Sequence, residues 1–211
     1  MDTKNTLEAK FIVLDGPDGC GKSTQAELLA KWAHSHKIVT AAFRDPGTTS
    51  IGEKIRAILL DSSHTEMTTN TELLLYMAAR AQLWAQCIEP ALKDNQCIIL
   101  DRWLSSTCAY QGFAGGFGTD SIIKIAEDSL PHPWPDLTII LDIDLDSAAP
   151  RLNAELDRME QKSRQYHQKV RQGFLSLAES RDDFAVVDAS KDIETVHANV
   201  INIVKQKLLA G

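Results

Sequence analysis

Between the apolar run KFIVLD and the helical pattern STQAELLAKWAHSH lies the octapeptide GPDGCGKS, residues 16–23. The spacing G-x-x-x-x-G-K-S, after a strand and before a helix, leaves few folds open. Gly16, Gly19 and Gly21 let the backbone curl until several N–H groups converge on one phosphate at a helix N-terminus. Lys22 can reach the β- and γ-oxygens of a nucleotide, and the Ser23 hydroxyl can ligate Mg2+. Pro17, Asp18, Cys20 and Thr24 complete the cradle. Asp18 either holds a metal-bound water, faces the acceptor or only forms the turn, for which Asp is well suited.

The rest of the chain alternates in the same way. KIVTAAFRD (37–45), QCIILD (96–101), DLTIILDID (136–144) and FAVVDAS (184–190) read as further strands. IGEKIRAILLD (51–61) is a helix with Ile51, Ile55, Ile58 and Leu59 on one face. Residues 70–94 predict a long helix capped by Asn70 or Thr71 and kinked or interrupted by Pro90. A last helix starts at about Asp192. Five strands separated by helices predict an α/β fold with a parallel sheet covered on both faces. No low-complexity linker or repeat divides the chain, so residues 1–211 read as one domain. Two segments interrupt the alternation: YQGFAGGFGTD (110–120), expected as a flexible loop, and a polar stretch at about 146–168. Ligands of such sheets gather at the carboxyl ends of the strands, where Asp15, Arg44, Asp45, Asp101, Arg102 and Asp142 fall.

Composition narrows the partners. The formal net charge of −7 opposes a general nucleic-acid-binding role, which needs a basic face. No apolar run approaches the roughly 18 residues of a membrane span. The polar start, Met1 to Lys10, has no signal-peptide core, and Cys20, Cys87, Cys97 and Cys108 form no C-x-x-C pair, so a reducing cytoplasm is expected. The six histidines have no metal-ligand spacing.

A phosphate loop leaves the acceptor open. No base-reading N-K-x-D occurs, which speaks against a GTP-dependent switch. Arg44, Arg56, Arg80 and Arg102 stand beside strand ends or on facing helices. Guanidinium forks suit phosphate oxygens, and one nucleotide does not need so many. A second phosphorylated ligand follows. Another small-molecule kinase, such as a deoxynucleoside kinase, would not need an arginine set for its acceptor. A nucleotide-dependent switch or binding protein without turnover would be marked instead by partner-dependent hydrolysis and a large exposed apolar patch.

FRDPGTTSIGEKIRAILLD, ELLLYMAARAQLW, ILDRWLSSTCAYQG and PDLTIILDID…ELDRMEQ resemble the successive motifs of thymidylate kinases, over about residues 10–205. The resemblance implies a three-layer P-loop kinase fold with a short lid, usually in a homodimer. It also implies transfer of the γ-phosphate of ATP to dTMP, giving dTDP. Arg44, Arg80 and Arg102 are then implied around the dTMP phosphate and thymine edge, and Tyr76 as the ring that stacks on thymine. Ser106, Thr107 and Tyr110 match residues that read the base and crowd the sugar 2′ position, with Gln111 beside them. Asp101 would position the metal or Arg102, and Arg56 is either a further contact or an exposed helix residue. Trp103 stands where the family usually has tyrosine, and DPGTT replaces the commoner E-P-G-G-T.

Phosphoryl transfer spreads negative charge over the migrating group, and a cation there is worth roughly 10³–10⁵ in rate. The resemblance places that arginine in the glycine loop or in the lid. The loop has none, so the lid must supply it, and Arg151, Arg158 and Arg164 are available. Arg151, following Pro150 where the lid should begin, is the first expectation and Arg158 the second.

Overall fold

The computed structural model describes residues 7–152 and 155–209. Five parallel strands form one sheet: β1 (Phe11–Asp15), β2 (Thr40–Arg44), β3 (Cys97–Asp101), β4 (Leu137–Asp142) and β5 (Phe184–Asp188), in the order β2-β3-β1-β4-β5. β1 is central, pairing Phe11 with Ile98 on one side and Ile12 with Leu137 on the other. Successive strand residues point to opposite faces, so each strand feeds two cores. Phe11, Val13, Ile98, Leu100 and Ile140 pack on one face with Trp103 and Phe174. Ile12, Leu14, Ile99, Ile139 and Leu141 pack on the other with Leu29 and Val200. The strands can be apolar throughout because both faces are covered.

The helices are α1 (Lys22–Ser35), α2 (Ser50–Leu60), α3 (Thr69–Leu83), α4 (Glu89–Lys93), α5 (Leu104–Thr107), α6 (Thr119–Ser129), α7 (Leu145–Ala148), α8 (Arg164–Glu179) and α9 (Ile193–Val204). Several differ from the expectation for local reasons. β2 begins at Thr40 because residues 36–38 close the end of α1: Lys37 N–H donates to His34 O, and Ile38 N–H to Ala33 O. The α3 cap is Thr68, whose Oγ1 accepts from Thr71 N–H at 3.2 Å, so neither Asn70 nor Thr71 caps it. Pro90 has no N–H to donate, and the helix accommodates it through a π-helical turn, Trp84–Ile88, before α4. The apolar face expected of α2 is split. Leu59 is buried, while Ile51 and Ile58 are 52% and 43% exposed.

The largest revision is at 110–120. Cys108–Ala114 continues α5 as a π-helical segment buried from Cys108 to Gly112, and only the glycine-rich turn after it is loop. α8 lies directly against this segment. A Cβ on Gly173 would stand 2.9 Å from Phe113 Cβ and 3.1 Å from Ala109 Cα, so glycine sets the approach. The last residues of the polar stretch 146–168 are the first turn of α8, whose cap is Ser163. Among the described residues no helix is long and apolar enough to cross a membrane.

Candidate active site

The carboxyl ends of β1, β2 and β3 open onto a cleft of about 810 Å³, at the upper end of ligand-pocket sizes. The glycine loop forms its floor. Gly16 has φ 142°, and a Cβ there would meet Leu141 O at 2.5 Å. Gly21, at φ 91°, delivers the chain into α1. Lys22 Nζ lies over the loop and donates to Pro17 O at 2.8 Å and Gly16 O at 3.1 Å. The Ser23 hydroxyl donates to Asp101 Oδ2 at 2.5 Å. Asp18, Gly19, Cys20 and Thr24 also line the cleft. Among the described residues no three His, Cys, Asp or Glu side chains gather into a metal cage. A Ser–Asp oxygen pair at a phosphate loop is the donor set that suits Mg2+, which takes few protein ligands and completes its shell with phosphate and water.

Arg102 is the hub of the site. Its backbone is left-handed, φ 69°, which turns the side chain from the end of β3 back over the loop. Nη1 donates to Ser106 Oγ at 3.1 Å and Gly16 O at 3.4 Å, Nη2 pairs with Asp18, and the guanidinium lies 5.5 Å from the Tyr110 ring centre. Tyr110 OH donates to Asp18 Oδ2 at 2.7 Å. Burial would raise the Asp18 pKa, but Arg102, Lys22 and the Tyr110 hydroxyl outweigh it and hold the carboxyl at about 2. The same burial, with Asp18 beside it, pushes the Tyr110 phenol well up. Asp15 sits beneath, fully buried, accepting from Gly16 N–H and from the Ser105 and Ser106 hydroxyls.

Arg44 and Arg56 face Arg102 across the cleft. Arg44 Nη2 donates to Glu53 Oε1 and Arg56 Nη1 to Pro46 O, both at 3.1 Å. Burial lowers the Arg56 pKa, and the nearby Arg44 and Arg102 cations lower it further. Tyr76, Thr107 and Gln111 complete this wall. Burial first, then Glu72, raises the Tyr76 phenol. Arg80 lines the same wall but is 1% exposed, 2.6 Å from Asp45 and donating to Thr107 Oγ1 at 2.9 Å and to Trp103 O at 3.2 Å. Much of its donor capacity is spent inside the protein. Trp103 is fully buried, its indole N–H donating to Pro133 O.

The three arginines of residues 146–168 separate. Arg151 lines the cleft at its far end and donates to Ala189 O at 2.9 Å. Arg158, read as the second candidate for the transferred group, points elsewhere: Nε donates to Leu59 O at 2.7 Å and Nη2 pairs with Glu72. Its partner is a carboxylate distant in sequence. Arg164 is tied to Asp146 by two bonds, at 2.9 and 2.8 Å. Asp142, at the end of β4, is likewise taken by Arg171.

Sequence reasoning missed part of the lining. Asp157, Met159 and Glu160 flank Arg158 in the quoted ELDRMEQ block, and Lys191, Asp192 and Ile193 follow β5 at its carboxyl end. The strand-end rule applied to β5 would have found the second group.

A glycine loop and an arginine cluster sharing one cleft, at the carboxyl ends of a parallel sheet, define a P-loop kinase fold built for two anionic ligands. The sequence model described as thymidylate kinase matches residues 14–200. The chain is 38% identical over 207 residues to the thymidylate kinase of Geobacillus sp. (strain WCH70), covering 96% of this chain and 99% of that one. It is 40% identical over 200 residues to that of Symbiobacterium thermophilum, covering 94% of each. The crystal structure of thymidylate kinase from Ehrlichia chaffeensis superposes with a TM-score of 0.77 at 28% identity, over 94% of this chain and 99% of that chain. The chain belongs to the thymidylate kinase family.

Proposed function

We propose that the protein transfers the γ-phosphoryl group of ATP to dTMP, giving dTDP and ADP. The observation that carries this reading is the cation cluster beside Arg102: burial and the neighbouring Arg44 and Arg102 cations lower the Arg56 pKa, so an anion is favoured there, and these arginines share the cleft with the phosphate loop. The loop N–H groups and Lys22 hold the donor phosphates. Ser23 and Asp101 would hold Mg2+, which supplies neutralisation of the β- and γ-oxygens. Arg102, oriented by Asp18 and Ser106, takes the dTMP phosphate and presents it in line, with Arg44 and Arg56 on its other side. Tyr76 stacks on thymine, and Arg80, Thr107 and Gln111 address its edge. Tyr110, fixed by Asp18, crowds the sugar 2′ position. Arg151 is the lid cation for the migrating group, since it lines the cleft and Arg158 does not. The distribution of cations follows the charge that develops in transfer.

Residues 1–211 then act as one domain, with the stretch at about 146–168 as lid. Self-association as a homodimer fits Ile51, Ile58 and Leu74, exposed on the paired helices α2 and α3. A reducing cytoplasm fits four free thiols. The test is coupled-assay turnover of ATP against dTMP, dUMP, dCMP, dAMP, dGMP, UMP and thymidine. dTMP should lead, dUMP should follow within the roughly 10–200-fold that one methyl commands, and thymidine should be inert. Thymidine turnover above that of dTMP would make this a nucleoside kinase.

A further inference from the structure

Glu72 stands at the centre of a buried polar group that the transfer chemistry does not use. It lies in the first turn of α3 and is 5% exposed. Its Oε1 accepts from Gln111 Nε2 at 2.8 Å and its Oε2 from Arg158 Nη2 at 2.5 Å. Arg158 also donates to Leu59 O through Nε and to Leu60 O through its backbone N–H. The end of α2, the start of α3 and the segment before α8 therefore meet at one carboxylate. Desolvation offsets most of the attraction in a buried ion pair, so net stability is a poor reason for one to stand here.

What the pair does set is the direction of the Gln111 amide. An amide has one end that donates and one that accepts, in nearly the same shape. A carboxylate clamped by an arginine only accepts, so the NH2 end of Gln111 must face Glu72. The carbonyl oxygen is turned away from it. Gln111 lines the cleft in the wall that carries Tyr76, Thr107 and Tyr110. An acceptor oxygen offered there suits a ring N–H. Thymine and uracil carry one at N3, whereas neutral cytosine has a lone pair at N3, and two acceptors facing each other leave both unpaired.

We infer that Glu72 is a positioning residue for acceptor-base selection: clamped by Arg158, it orients Gln111 so that a pyrimidine with an N3–H is accepted and cytosine is refused. The inference rests on the reading of the cleft as a dTMP site. Glu72→Gln keeps the volume and can pair with either end of the Gln111 amide, which frees it to turn. The ratio of kcat/KM for dTMP over dCMP should fall tenfold or more, while KM for ATP stays within twofold of wild type. A Glu72 that only braces the helices would lower the melting temperature and leave that ratio alone. The single variant strands the Arg158 charge in the interior, so Glu72→Gln/Arg158→Met, which removes both charges, is measured beside it and should lose the same selectivity. A ratio within threefold of wild type in either folded variant overturns the inference. Wild-type turnover in the same assay separates the two readings. Absent dTMP turnover sinks the substrate assignment and this inference with it, whereas good turnover with unchanged ratios sinks the role of Glu72 alone.

Discussion

Replacing Arg102 by alanine removes the cation that joins the phosphate loop to the acceptor wall. The guanidinium is 19% exposed and already bonded to Ser106 and Asp18, so little ordering remains when a phosphate arrives. Losing one charged partner of a desolvated anion costs about 2–5 kcal/mol. At about 1.4 kcal/mol per tenfold, kcat/KM for dTMP should fall by roughly 30- to 4,000-fold. The donor side should hold, because Asp18 keeps the Tyr110 hydroxyl at 2.7 Å and Lys22 keeps both loop carbonyls. ATP affinity, read by fluorescence titration, should stay within about threefold, an allowance of about 0.7 kcal/mol. Arg102→Gly is the control for the backbone. At φ 69° alanine is strained as arginine is, whereas glycine is not, so the glycine variant should be about 1 kcal/mol more stable than the alanine variant. Both should lose dTMP turnover equally. Retention of kcat/KM within tenfold, or a loss that falls on ATP affinity instead, refutes the assignment.

Lys22→Ala should lower kcat by orders of magnitude while the protein still folds, since its ammonium bonds to two loop carbonyls; near-normal turnover would remove 16–23 as the working phosphate loop. Arg151→Ala should cut kcat far more than either KM. Arg158→Ala, in contrast, should appear in denaturant titration as a loss of about 3–5 kcal/mol, because it leaves the buried Glu72 carboxylate without its cation; a kcat defect confined to Arg158→Ala, with unchanged stability, would reverse the two roles. Asp18 is held at about 2 against an ordinary 3.8, so its contribution of about 2 kcal/mol is complete above pH 4 and is lost as pH falls toward 2. Urea midpoints measured from pH 5 downward should fall less steeply in Asp18→Asn than in wild type, and parallel slopes would remove the Arg102–Asp18 coupling.

What could be read without the fold was whatever a short stretch of chain decides for itself. Residues 11–23 carry strand, turn glycines, lysine and serine together, and the loop follows from their own φ angles and periodicity. The five apolar runs became five strands, and Arg44, Asp45, Asp101 and Arg102 at the ends of two of them reached the cleft because in a parallel sheet those ends share one side. Pairings across the chain could not be read. Arg158 looked like a lid cation until Glu72, 86 positions earlier, buried it. Arg80 is drawn inward by Asp45, and Asp142 is withdrawn from the cleft by Arg171. The glycine-rich stretch after Tyr110 composes as a loop, yet its first half is helical because α8 packs on it through Gly173. Local propensity settles the shape of a turn or a strand, whereas the direction of a long charged side chain is settled by whichever partner the folded chain places within its reach.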